Sequence, residues 1–342
     1  MKSFGTTIIL SEHHFDDVMN ICNKMLVMEN GKVIAFGETK RVVKDLFSKN
    51  EYVPMLPNCT KLSTILSVSD PIMTVKEARM HLKKHHLEKK EETKEVEELS
   101  KEVLLLKDLS FRYERTGKDI LKNIQLMIKQ GEIFTIVAGN GSGKTTLLSV
   151  ICGILKPYTG KIVNEHTIAM LPQQPKMIFS KSTVAEELNS VCHHEEWKKT
   201  LMMELELESL LEKHPYDLSG GEEEKVAIAK VILTESDIFL FDEPTKGMDG
   251  ALKEKFIHIL KTLKLQGKTI VLVSHDMEFC AEVSDRCAML FQGEIVGENN
   301  AKDFFLNNAF YTNDIVRMTS GILPHTVTFH ELSSLVAKEE HA

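Results

Sequence analysis

Residues Glu132 to Val150 read EIFTIVAGNGSGKTTLLSV. The apolar run Ile133 to Val137 predicts a buried strand. The glycine-rich loop after it predicts a turn into a helix starting at Gly143 or Lys144. Strand, loop and helix in that order make a phosphate site. Asn140, Gly141, Ser142 and Gly143 let successive backbone N–H groups turn inward around phosphate oxygens, and the helix N-terminus adds partial positive charge. Lys144 is placed to reach the β- and γ-phosphates as a point charge, and the Thr145 hydroxyl to ligate Mg2+. Thr146 is grouped with the same nucleotide-binding residues. Ala138 stands where the first glycine of GxxxxGK[ST] is usual. Alanine is the smallest substitute, so the turn is expected to hold.

A second signal lies about 100 residues on. Asp237 to Thr245 read DIFLFDEPT, an apolar strand that ends in adjacent carboxylates. In a parallel sheet, functional groups gather at the carboxyl ends of strands. Asp242 is expected to hold Mg2+ through its water shell. Glu243, one residue on, points elsewhere and is expected to polarise an attacking water as general base.

Between these stands Leu218-Ser219-Gly220-Gly221, followed by the helical run EEEKVAIAKVIL. Ser219, Gly220 and Gly221 predict another anion-binding helix N-terminus. Here the chain resembles ABC-type ATPases, whose signature is LSGG. The resemblance implies a role for four more residues. Tyr113 would stack on adenine. Gln173, in LPQQP, would sense Mg2+ and the transport partner. Asp249, in KGMD, matches the D-loop aspartate. His275, in VSHD, matches the switch histidine on the γ-phosphate. Glu222, Glu223 and Glu224 fill the first turn of the signature helix. Acids there favour the helix and lower the positive potential facing a phosphate.

Composition agrees with a folded enzyme. Of 342 residues, 42% are hydrophobic and 27% charged, which excludes a wholly disordered chain. The net charge of −8 argues against nucleic acid as partner. No apolar run approaches a membrane span, and the six cysteines lack CxxC spacing, which points to a reduced compartment.

The chain repeats itself. Gly5 to Gly31 (GTTIILSEHHFDDVMNICNKMLVMENG) aligns without a gap with Gly267 to Gly293 (GKTIVLVSHDMEFCAEVSDRCAMLFQG). Both predict a buried strand, a turn carrying histidine (His13, His275), an amphipathic helix, a second strand and a tight turn. The tails repeat too: Thr74 to Glu77 and Thr328 to Glu331 are both Thr-x-x-Glu capping boxes. A first copy as long as the second would begin roughly 160 residues before Met1. We therefore expect a truncated chain: a gene fragment, a frameshift product or a misassigned start.

The expected organisation is a remnant of a first ABC ATPase domain with its tail at 1–80, then a charged helical linker at 81–102. A complete ABC ATPase domain at 103–305 and a tail subdomain at 306–342 follow. The expected fold is an α/β P-loop core with an antiparallel β subdomain. A helical insertion from about Thr183 to Lys230 carries the signature, with Trp197 and Leu201 to Leu211 packing it. His81 and His85 in the linker, and Cys192-His193-His194, read as solvated residues rather than metal ligands.

SEHHFDDV, SHDMEFCAEVSDRCAMLFQGEIV and the Phe310–Arg317 tail resemble the ATPases of energy-coupling factor transporters, which import vitamins and transition-metal ions. That resemblance implies an ATP- and Mg2+-dependent subunit, peripheral on the cytoplasmic face of the membrane. It implies three partners: a second ABC ATPase domain (a homodimer or a separate subunit), a transmembrane coupling subunit and a substrate-capture subunit. The alternatives are a non-catalytic fragment of such an ATPase and, further behind, a tandem ABC protein acting on ribosomes.

Overall fold

The computed structural model describes residues 6–12, 15–29, 31–84, 101–308 and 310–339. His13, His85 and most of the expected linker lie outside them. In chain order the elements are α1 (Phe15–Met19), β1 (Lys24–Glu29), β2 (Lys32–Glu38), α2 (Thr39–Phe47), α3 (Asn58–Ile65) and α4 (Val75–Leu82). Next come β3 (Glu102–Phe111), β4 (Leu121–Lys129), β5 (Ile133–Ala138), α5 (Lys144–Ile151), β6 (Thr159–Asn164) and β7 (Ile168–Leu171). They continue with α6 (Val184–Asn189), α7 (Glu195–Glu204), α8 (Gly220–Ile232), β8 (Ile238–Asp242), α9 (Gly250–Leu265) and β9 (Thr269–Ser274). The last are α10 (Met277–Val283), β10 (Arg286–Phe291), β11 (Glu294–Asn300), α11 (Ala301–Asn307), α12 (Asp314–Thr319) and α13 (Phe329–Glu339).

The chain forms two compact units. One comprises Met1–Glu92, Met248–Ala251 and Asn313–Ala342; the other comprises Thr93–Gly247 and Leu252–Thr312.

In the larger unit, six strands form a sheet in the order β11-β10-β5-β9-β8-β7. All neighbours pair in parallel except the antiparallel edge strand β11. Strands β5, β8 and β9 are buried along their whole length. A strand covered on both faces reads as a continuous apolar run, which is why IFTIVA, IFLFD and TIVLVS show no alternation. A separate antiparallel sheet, β4-β3-β6, supplies the β subdomain. An aromatic chain ties β8 to the helices behind it. Phe241 meets Phe256 edge-on at 5.7 Å, and Phe256 stacks on Phe279 at 5.8 Å. That packing fixes the height at which β8 ends, and the positions of Asp242 and Glu243 follow from it. The helical insertion is present, and Leu201, Leu205 and Leu207 are fully buried, packing it as expected, although the helix ends at Glu204 and Glu206 turns the chain with φ +56°.

In the smaller unit, β1 and β2 form a hairpin that matches β10 and β11 in register. Lys24 faces Glu38 as Arg286 faces Asn300, and both hairpins shift register at the same step, Val27/Met28 and Met289/Leu290. One expectation fails at the start of this copy. Residues 6–12 form no strand, and Ile9 is 92% exposed whereas its counterpart Val271 is fully buried. The reason is pairing. β9 lies between β5 and β8, whereas among the described residues no strand lies beside 6–10. Its backbone groups therefore go to water.

The two tails, read separately in the sequence, share one core. Leu62 and Leu82 of the first tail pack with Ile315, Met318 and Leu332 of the second. Each threonine caps its helix, and each glutamate reaches back to the residue before the cap. Thr74 Oγ1 accepts from Glu77 N–H, and Glu77 Oε2 accepts from Met73 N–H. Thr328 and Glu331 do the same, with Val327 N–H as the second donor. Arg79 Nη1 donates to the Arg317 carbonyl at 2.7 Å, bridging the tails.

Leu332→Ala is expected to cost about 2–5 kcal/mol of stability. Because the core is shared, amide exchange is expected to quicken in α3 and α4 as well as in α13. Hydrogen exchange read by mass spectrometry checks this.

Candidate functional site

The parallel sheet of the larger unit delivers its polar groups to one edge. β5 ends in Ala138 and leads through the glycine loop into α5, which starts at Lys144. Gly143 holds φ +101°, and a Cβ there would press on the Ile120 carbonyl at 3.2 Å, so glycine is required. Ser142 Oγ donates to the Gly139 carbonyl at 2.8 Å and closes the loop, while Asn140 and Gly141 are exposed at its tip. Lys144 is buried. Its Nζ donates to the carbonyls of Ala138 (3.1 Å) and Gly139 (3.3 Å) and sits 3.4 Å from Glu243 Oε1. Alanine at position 138 thus keeps the turn, and its carbonyl holds the lysine.

β8 ends at Asp242, 1% exposed. Thr145 Oγ1 donates to its Oδ2 at 2.6 Å. Its Oδ1 is buried and has no hydrogen-bond partner. Burial raises the Asp242 carboxyl above its usual range, with Thr145 pulling the other way. Glu243 follows with φ +56°, the left-handed region that a residue with a Cβ enters only when its surroundings hold it there. Here the hold is a 2.8 Å hydrogen bond from Glu243 N–H to the Val273 carbonyl. The kink aims the side chain at β9, where Glu243 Oε2 lies 2.6 Å from His275 Nδ1 and accepts the His275 backbone N–H.

Burial alone would raise the Glu243 carboxyl. The hydrogen bond and charge of His275, together with Lys144, outweigh it and hold the group below its usual range. His275 moves the other way: its bond to Glu243 raises it above 6.5. Lys144, Thr145, Asp242, Glu243 and His275 therefore form one contiguous cluster. Tyr113 joins it from the β subdomain, with its OH 3.0 Å from Thr146 Oγ1 and its ring 64% exposed. The loop bearing Tyr113 is held by Asp119, which accepts from Arg112 Nε and Tyr158 OH. Sequence reading did not single out Arg112, Asp119 or Tyr158, and nothing in their spacing marks them.

The remaining predicted residues lie on other segments of the chain. Gln173 is exposed in the loop after β7. Asp249 falls in the segment grouped with the smaller unit. Ser219 caps α8, and Gly220 behind it is exposed. The three glutamates of this turn meet different fates. Glu222 forms the capping box with Ser219 and pairs with Lys213 at 2.8 Å; Lys213 and the serine contacts lower it to about 2. Glu223 accepts from Lys176 N–H and lies 3.5 Å from Lys176 Nζ. Glu224 is buried, and desolvation with Glu223 nearby raises it to about 8, so it is neutral at pH 7.

Comparison with known proteins agrees with this geometry. The family described as ABC transporter matches residues 121–246, which span the phosphate loop, the signature and the paired carboxylates. An ABC transporter ATP-binding protein of Clostridium tetani is 34% identical over 335 residues, covering 93% of this chain and 75% of its own length. The chain belongs to the ABC transporter ATP-binding proteins. A Bacillus cereus member is 31% identical over 97% of this chain, and the chain spans 64% of that relative's length. Among solved structures, cbiO1 of Clostridium perfringens, part of the ABC transporter complex cbiONQ, aligns at 26% identity with a TM-score of 0.52. The alignment covers 60% of this chain and 90% of that one. An ATP-binding cassette captured as a dimer with ADP and phosphate aligns at 28% identity and TM-score 0.53, covering 58% of this chain and 99% of that one. The fold is thus the P-loop α/β core of this family, with its antiparallel β subdomain and helical signature part.

The Glu243–His275 pair gives this cassette a pH signature. Glu243 lies below its unfolded value of 4.5, so its contribution is present above that pH and lost as pH falls through its folded value. His275 lies above 6.5, so its contribution is complete below 6.5 and lost as pH rises through its folded value. His275 is expected to titrate above 6.5 by NMR, and Glu243→Gln to bring its midpoint down towards 6.5.

Proposed function

We propose that this chain is the ATP-hydrolysing subunit of a membrane importer of the energy-coupling factor type, for a vitamin or a metal ion. The observation that carries the ATPase reading is the convergence of Lys144, Thr145, Asp242, Glu243 and His275 on one sheet edge. The importer type rests on the likeness to cbiO1, itself part of an ABC transporter complex, and on the motifs after His275.

Lys144 is the cation for the β- and γ-phosphates. Its contacts to two carbonyls and Glu243 hold its ammonium beside the loop. Tyr113 offers an exposed ring face to adenine, and Asn140 to Gly143 line the phosphates. Asp242 and Thr145 would hold Mg2+, with Gln173 reaching it from its loop. The buried, unpartnered Asp242 Oδ1 fits such an ion, since an ionised oxygen at that depth needs a positive partner. Bound Mg2+ supplies charge neutralisation between the phosphates. Glu243, held ionised by its neighbours, orients and polarises the attacking water. His275 is mostly exposed on the side away from Glu243 and can turn to the γ-phosphate.

Ser219, Gly220 and Gly221 open α8, a different segment from those that build the chain's own phosphate cluster, and each site is completed by a second ABC ATPase domain. A homodimer or a separate subunit provides it, and Asp249 serves that junction. A related cassette is dimeric with ADP and phosphate bound. Among the described residues no helix is long and apolar enough to cross a membrane. The proposed placement is peripheral, on the cytoplasmic face, with a transmembrane coupling subunit and a substrate-capture subunit as partners.

Hydrolysis measured across a range of protein concentrations tests this. Specific activity is expected to rise with concentration, as two chains complete paired sites. Glu243→Gln is expected to bind ATP yet lose turnover by roughly a hundredfold or more. Turnover unchanged in Glu243→Gln would remove Glu243 as base. ATP binding without hydrolysis by the parent chain at any concentration would favour a non-catalytic or partner-dependent role.

A further inference from the structure

The Ser219 hydroxyl has one proton, and it is committed. Ser219 Oγ–H donates to Glu222 Oε2 at 2.8 Å, and the same oxygen accepts Ser219 N–H at 2.8 Å. The carboxylate is ionised, so it is the acceptor in both bonds. Its other oxygen, Oε1, meets Lys213 Nζ at 2.8 Å. We propose that Glu222 restrains the signature serine from binding phosphate, and that Lys213 sets the strength of that restraint. Both are positioning residues, and the proposal rests on the paired-site reading above.

The argument is one of protons and charge. While Ser219 donates to Glu222 and its oxygen accepts the Glu222 backbone N–H at 3.5 Å, the hydroxyl has only lone-pair density left to turn outward, which repels a phosphate oxygen. To bind phosphate the hydroxyl must rotate its proton away from a charge-assisted bond, which is about twice as strong as a neutral one. Glu222 also places a full negative charge in the first turn of α8, where the helix N-terminus would otherwise favour an anion.

Its two neighbours add little. Glu223 is balanced by Lys176, and Glu224 is neutral at pH 7. Lys213 is therefore the cation that offsets the one acidic group bonded to Ser219. The pair is partly exposed, at 45% and 30% of the two side chains, so water screens it and the effect is graded. Glutamine at 222 would keep the cap, since its amide oxygen still accepts Ser219 N–H, and would remove only the charge.

The test uses the full chain with Glu243→Gln added to stop hydrolysis, and reads the ATP concentration that half-saturates chain association by light scattering. Glu222→Gln is expected to lower that concentration roughly three- to tenfold, even though its melting temperature falls slightly with the loss of the helix-start charge. Lys213→Ala is expected to raise it roughly threefold. The double variant is expected to behave as Glu222→Gln alone, because Lys213 acts only through the carboxylate. Equal midpoints in parent and Glu222→Gln, or additive effects in the double variant, would overturn the proposal while leaving paired sites intact. No association in any variant, with ATP bound, would overturn the paired-site reading and this proposal together.

Discussion

A buried lysine organises the nucleotide end of this protein. Lys144 and Glu243 are 9% and 6% exposed, and two charges at that depth persist only when fully partnered. The partners come from three strand ends. The carbonyls of Ala138 and Gly139 lie at the end of β5, Glu243 follows β8, and His275 follows β9 and engages the far oxygen of Glu243. Removing any one leaves a buried charge underused. Those three strands must therefore lie side by side, parallel and in register, and the fully apolar faces of β5, β8 and β9 are what hold them so. The left-handed backbone at Glu243, a conformation worth roughly 1–3 kcal/mol of strain, is sustained by the same neighbours.

The same amino acid serves opposite ends across the site. Glu243 is held ionised by a histidine and a lysine. Glu224 is driven neutral by burial, and Glu222 is held strongly ionised by a lysine and a serine. Three adjacent acids at a helix start suggest a uniformly negative turn. In the fold they become one charge-balanced strut to Lys176, one neutral buried acid and one carboxylate that grips the signature serine. Charge at this turn is thus a matter of neighbours from distant loops, not of composition.

The smaller unit shows a repeat used in two ways. The β1–β2 hairpin reproduces β10–β11 down to the step at which register shifts, because the same alternation and turn act locally in both. Residues 6–10 do not reproduce β9, because a parallel strand exists only through its neighbours. The tails go further than the sequence indicates: their apolar residues belong to one shared core.

The sequence by itself determined the phosphate loop, the strand leading to Asp242 and Glu243, the start of the signature helix and the repeat. Each is set by local spacing: glycines that permit the turn, apolar runs long enough for a strand, and glycines before an apolar-periodic helix. Tyr113 and His275 were legible only through resemblance, since a lone aromatic or histidine carries no spacing signal. Tertiary structure alone decided which charges meet. Lys144 with Glu243, Glu222 with Lys213, and the joined tails are contacts made across loops. An ion pair depends on distance and burial, and neither is written in the order of residues along the chain.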